Sequence, residues 1–178
     1  ADVIRINSQS GKGGIGFLLE QNYGYSLPAK MREDLGYRVK SVSDHGHKEL
    51  SVREVCDVFE QTYMNRCTPL SVPEAHFTVR NNVFYAVVTV EMKGNSREVT
   101  SQGNGRLDAV CNAIHDATGL EFTLESYSEH SLDEGSTSRA CSYVGIRWPD
   151  GSMSWGAGTH TDIIMAGTRA LVSAVNNH

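Results

Sequence analysis

Cysteine is scarce: four residues in 178, Cys56, Cys67, Cys111 and Cys141, with no CxxC pair among them. That spacing excludes a dithiol redox motif and a zinc knuckle, and it does not suit a disulfide framework. It fits reduced thiols and a cytoplasmic location. Basic residues are outnumbered, 16 Lys and Arg against 21 Asp and Glu, for a net charge of −5. That balance gives no basic patch on which to rest a nucleic-acid partner, and none is expected. No apolar run approaches the length of a membrane span, so no membrane partner is expected, and the first residues do not read as a secretory leader. No His/Cys/carboxylate cluster has metal-ligand spacing and no nucleophile sits beside a base, so the expected sets of catalytic and metal-binding residues are both empty. The chain opens at Ala1, without Met, directly before the strand-like Val3-Ile4-Arg5-Ile6, which suggests a piece cut from something longer.

What remains is an ordinary globular composition, 39% hydrophobic and 21% charged, with enough chain for one or two cores. Residues 1 to 25 read as strand-like around a polar centre, Asn7 to Gly14. Gly11-Lys12-Gly13-Gly14 invites a phosphate-loop reading, but Lys12 is followed by Gly13 rather than Ser or Thr, and the apolar run Ile15-Gly16-Phe17-Leu18-Leu19 reads as a strand where that motif needs a helix. Ser26 is placed as the cap of a helix with Pro28 in its first turn, and Met31, Leu35, Val39 and Val42 share one face. That helix ends near Asp44-His45-Gly46-His47, two histidines read as loop rather than metal ligands. Ser51-Val52-Arg53-Glu54 has the form of a capping box, and Val55, Val58, Phe59 and Tyr63 follow as an apolar stripe. Pro69 and Pro73 then interrupt, and the domain boundary is placed there: a helical subdomain over 1–65, a second domain over 74–178.

Beyond the boundary the period changes from helical to two. His76 to Arg80, Val83 to Met92 and Arg97 to Ser101 read as strands, with a turn at Lys93-Gly94-Asn95-Ser96. Gly103-Asn104-Gly105 leads into a helix with Leu107, Val110, Cys111 and Ile114 on one face and Gly119 at its end. The order then repeats: strands over Glu121 to Glu129, with Phe122 and Leu124 on one face, and over Ala140 to Arg147. A turn at Trp148-Pro149-Asp150-Gly151 follows, then Gly156-Ala157-Gly158 and a last helix carrying Ile164, Leu171 and Val175. The expected architecture is α+β, a small helical subdomain followed by a duplicated βββα unit.

The two Gly-x-Gly segments are the candidate site. A helix N-terminus offers N–H groups with no partner inside the helix and a partial positive charge, which suit a carboxylate. Phe122, Leu124, Tyr127, Ala140 and Leu107 would supply an apolar surface, and Asp108 and Asp162 would either meet an ammonium group or simply cap their helices. Donors for a carboxylate, an acceptor for an amine and an apolar pocket together suit an apolar amino acid, bound rather than transformed.

Asn7 to Gly14, Leu27-Pro28, the Gly103-Asn104-Gly105 helix, Tyr127-Ser128-Glu129-His130, Trp155-Gly156-Ala157-Gly158 and the closing Ala174-Val175-Asn176 together resemble the C-terminal part of the 2-isopropylmalate synthases, in their longer bacterial and fungal form. The resemblance implies that residues 1 to about 65 are the linker subdomain and the rest a regulatory domain. Such a domain binds leucine for feedback inhibition and pairs with its counterpart in a homodimer. The leucine pocket so implied comprises Gly103, Gly105, Leu107, Asp108, Leu124, Tyr127, Ser131, Ser138 and Ala140. It further implies that the metal-dependent barrel, the domain's natural partner, lies outside this chain, so that no cofactor is expected here and the chain alone condenses nothing. A free-standing amino-acid sensor, a ligand-free dimerisation module, and the regulatory part of a citramalate or homocitrate synthase are the alternatives.

Overall fold

The computed structural model describes residues 5–6, 12–132 and 138–178. The strand reading of Val3-Ile4, most of the Asn7 to Gly14 motif and residues 133–137, between the two strands read over Glu121 to Glu129 and Ala140 to Arg147, lie outside these. The chain divides into two compact units, residues 1–62 and residues 63–178.

In the first unit a two-residue ladder, β1 (Arg5–Ile6) against β2 (Leu50–Ser51), accompanies three helices, α1 (Lys12–Tyr23), α2 (Ala29–Gly46) and α3 (Val52–Tyr63), the last ending one residue beyond the division. Helix α1 overturns the strand reading of residues 15–19. Ile15 and Leu19 are buried, one helical turn apart, while Phe17 between them is 62% exposed. Apolar residues at i, i+2 and i+4 satisfy both periods, and here the i, i+4 pair is the one that packs. Helix α2 begins later than expected: Pro28 is its N-cap, and Ser26 lies outside it. Its buried face is Met31, Leu35, Val39 and Ser43, with Val42 turned out to solvent. The face thus follows the i+4 row to its end and buries a serine, whose hydroxyl donates to the Lys48 carbonyl at 2.7 Å. The capping box forms as read: the Glu54 N–H donates to Ser51 Oγ at 3.1 Å and the Ser51 N–H to Glu54 Oε1 at 3.0 Å.

The second unit is the duplicated βββα expected from the sequence. Strands β3 (Leu70–Arg80), β4 (Val83–Met92) and β5 (Asn95–Gly103) form one antiparallel sheet, followed by α4 (Arg106–Thr118); strands β6 (Thr123–Ser131), β7 (Ala140–Arg147) and β8 (Met153–His160) form a second, followed by α5 (Ile163–Asn176). Tight hairpins close the first sheet, with Asn81 and Asn82, then Lys93 and Gly94, all at positive φ, the geometry that matches strand twist in two-residue loops. Strand β3 starts six residues before its expected first residue and runs through Pro73, because a register shift between Ser71 and Glu74 spares the ladder at the proline. Phe122 is buried just ahead of β6, whereas Leu124 within it is 37% exposed, so the two do not share a buried face.

One core joins the repeats. Val88 and Val90 of β4, Val110 and Ile114 of α4, Val144 and Ile146 of β7 and Leu171 and Val175 of α5 belong to a single buried cluster. Alternate residues of β4 face it, which is what period two dictates. The segment before β3 is stitched to the end of the chain: Asn176 Nδ2 donates to the carbonyls of Arg66 and Leu70, each at 2.9 Å, and the Leu70 N–H donates back to its Oδ1.

The largest correction concerns the second Gly-x-Gly. Gly156 and Gly158 are not a turn into a helix; they lie inside β8. A Cβ on Gly156 would sit 2.3 Å from both the Ala170 oxygen and the Ala174 nitrogen, and one on Gly158 would sit 2.4 Å from the Ala166 oxygen. Helix α5 therefore rests its Ala166, Ala170 and Ala174 side directly on bare strand backbone. The N-caps of the two repeats are Gly105 and Asp162, so the second-repeat counterparts of Gly103 and Gly105 are His160 and Asp162.

Candidate functional site

The structure sorts the sequence-selected residues into two groups. The first is the corner between β5 and α4. Gly103 is the last residue of β5 and packs against the helix: a Cβ there would fall 2.6 Å from the Ala109 nitrogen and from Asp108 Oδ2. Asp108 Oδ2 accepts from the Asn104 N–H at 2.9 Å, closing the loop from inside. Ser101 Oγ donates to the Ala109 carbonyl at 2.6 Å, and Asn112 Nδ2 to the Gln102 carbonyl at 2.8 Å, so strand and helix are fixed to each other on both sides of the corner. Leu107 is half-buried against the common core.

Gly105, the N-cap, differs from the others. Its backbone is extended, no side chain caps the first turn of α4, and the space where a Cβ would project is open. The corresponding terminus of α5 is closed, because Asp162 Oδ1 accepts from the Ile164 N–H at 2.9 Å. Of the two helix starts, one has a first-turn donor covered by its own cap side chain and the other has no side-chain cap. A cation flanks the open one: the Arg106 guanidinium lies 5.3 Å from the centroid of the Phe84 ring.

The second group lies along β6, an edge strand of its sheet, and the adjoining start of β7. Register pairs Leu124 with Ile146, Tyr127 with Val144, Glu129 with Ser142 and Ser131 with Ala140. These residues share the face on which α5 lies, since Val144 and Ser142 pair on their other side with Gly156 and Gly158. Tyr127 reaches across to the helix, its hydroxyl 3.2 Å from where a Gly167 Cβ would be, and donates a hydrogen bond to Glu129. Burial first, and then the Glu129 carboxylate, push the Tyr127 phenol up to about 12, with the Ser142 hydroxyl acting in the opposite sense. Yet Ser142 Oγ is fully buried and makes no hydrogen bond of ordinary geometry, alone in this among the described side chains. Ser138 precedes β7 and is half-buried.

The side-chain hydrogen bonds of the first group stay within β5 and α4, and the ties of the second within β6, β7 and α5. Asp162 is a helix cap, the plainer of its two readings. Sequence reasoning missed Glu129 and Ser142 as members of the second group. The alternation Tyr127-x-Glu129 was a usable signal, but Ser142 shows itself only through register. Among the described residues, no group of three His, Cys, Asp or Glu side chains could hold a metal ion.

The LeuA allosteric (dimerisation) domain matches this chain over residues 49–178, which includes the whole of the second unit and both groups of site residues. The chain belongs to that family. It is 50% identical to a 2-isopropylmalate synthase of Desulfitobacterium hafniense over 98% of its length, which is 31% of that relative. Against a Helicobacter hepaticus 2-isopropylmalate synthase it is 44% identical over 99% of this chain and 33% of the relative, and against one of Rhizobium johnstonii 36% identical over 98% and 32%. The chain thus spans about a third of the length of the curated relatives it matches.

Proposed function

We propose that this chain is the regulatory part of a 2-isopropylmalate synthase, with residues 1–65 as its linker subdomain and 74–178 as a homodimerising domain that binds leucine for feedback inhibition. On this reading acyl transfer, and the divalent metal it needs, belong to the remaining two-thirds of the full-length relatives, and the whole works in the cytoplasm. No described helix is long and apolar enough to cross a membrane.

The observation that carries the reading is the inequality of the two helix starts. In a family named for allostery, one N-terminus is capped by its own Asp162 at the Ile164 N–H and the other, at Gly105, has no side-chain cap and open space before it. An amino-acid carboxylate on the free N–H groups of α4 gains both hydrogen bonds and the helix dipole. Asp108, with one oxygen committed to Asn104, keeps the other for an ammonium group, and Leu107 and Leu124 supply apolar surface.

Calorimetric titration with leucine, isoleucine, valine and lysine tests this, leucine being expected to bind best. Preference for isoleucine or lysine would point to a citramalate or homocitrate synthase as parent. Gly105→Asp places a carboxylate on the same donors. A like charge at that range costs roughly 1 to 4 kcal/mol, so leucine affinity should fall about tenfold to several hundredfold. Unchanged leucine binding in a folded Gly105→Asp variant would remove the α4 terminus from the site.

A further inference from the structure

A cavity of about 480 Å³ is lined by none of the residues of the two groups described above. It opens between the segment leading into β3 and the outer flank of α5, and Arg66, Cys67, Val72, Pro73, Met165, Arg169 and Val172 are among its lining residues. Its volume lies in the range of small-molecule sites.

The walls are held in place by the chain itself. Asn65 exchanges two hydrogen bonds with Thr159, each 3.0 Å; the Arg66 N–H donates to Ser173 Oγ at 3.1 Å; and Asn176 clamps the segment from Arg66 to Leu70. The cavity is therefore present before any ligand arrives. Val72, Pro73, Met165 and Val172 give it apolar walls. Two guanidinium groups line it, those of Arg66 and Arg169; the Arg169 side chain is held at its edge by its Nη1, which donates to the Thr159 carbonyl at 2.9 Å. Arg169 has no carboxylate partner among the described residues, although the chain as a whole is acidic. A guanidinium offers five donors in a plane suited to a carboxylate, and one bond to a carbonyl leaves most of them unused.

We infer that this cavity is a second effector site, taking a small aliphatic monocarboxylate whose acid group meets Arg169 and whose hydrocarbon part lies between Val72, Met165 and Val172. The site is separate from the leucine reading and stands without it.

Cys67 is the reporter, being the one exposed cysteine of the four. Isovalerate should slow the alkylation of Cys67 by iodoacetamide and give saturable heat in calorimetry, while isovaleramide, its neutral isostere, should do neither. Arg169→Gln, checked for an unchanged circular-dichroism spectrum, should weaken isovalerate binding about tenfold or more, the value of a charge-assisted hydrogen bond. Saturating leucine should leave the protection intact. Equal protection by acid and amide, isovalerate binding unaltered in Arg169→Gln, competition by leucine, or a Cys67 that does not react in the free protein would each overturn the inference. Should Arg169→Gln fail to fold, the acid and amide comparison on the unaltered chain decides.

Discussion

Single glycines carry opposite requirements in this molecule. Gly156 stands where no side chain fits, since the atoms a methyl would meet at 2.3 Å are backbone and cannot swing away. Gly156→Ala should therefore cost about 1–3 kcal/mol by overpacking, a drop of several degrees in melting temperature for a chain of this size, read by calorimetry or circular dichroism. Gly105 has an extended backbone and empty space beside it, so nothing there demands glycine for folding. Aspartate is a better N-cap than glycine, so Gly105→Asp should melt at the same temperature or slightly above while losing ligand. A marked fall in its melting temperature would show that the corner is tighter than the geometry indicates. At this scale the sequence alone misleads: two Gly-x-Gly segments look alike on paper. The difference is that the first ends its strand at Gly103 and caps a helix at Gly105, whereas the second stays inside β8 under α5, and it lies in contacts with residues 166–174 that local pattern does not encode.

At the level of elements, legibility followed periodicity and cap chemistry. The α3 start was readable because Ser51 and Glu54 satisfy each other's backbone N–H groups over three residues, a local arrangement. Helix α1 was not, because Ile15, Phe17 and Leu19 fit two periods and only packing chooses between them. Strand β3 is longer than its prolines suggest because a bulge lets Pro73 stay within it. Of the site, the β5–α4 corner was readable from glycine spacing, whereas Ser142 depends on strand register. The capping box also makes an element-scale prediction. Ser51→Ala should destabilise by about 1 kcal/mol. The Lys48 ammonium first, and then Ser51, hold the Glu54 carboxyl down at about 2. Since the folded value is depressed, the stability this group contributes is in place above its ordinary value of 4.5 and is lost as pH falls through about 2. Glu54→Gln should accordingly lower the melting temperature at pH 7 and make progressively less difference as the pH approaches 2.

For the molecule as a whole, thiol chemistry and association are the accessible tests. Cys56, Cys111 and Cys141 are buried, and burial pushes their thiols up to about 12, 12 and 11. A thiol reagent at neutral pH should thus titrate one group rapidly in the native chain and four after denaturation; two or more fast thiols would contradict the packing of one of these helices or strands. Membership of a dimerisation-domain family further leads us to expect a homodimer, and light scattering at micromolar concentration should return twice the 19.5 kDa chain mass. A monomer there would count against the regulatory reading as a whole.

The seat of α5 on β8 has a thermal consequence. Gly156, Gly158, Ala166, Ala170 and Ala174 have no side-chain torsions to freeze, so folding orders this contact at the cost of backbone entropy alone. Nor has the contact any rotamers through which to loosen on warming. Heat can part helix from strand there only by moving backbone against backbone. The amides of α5 along that seam should therefore be among the last in the chain to exchange with solvent deuterium.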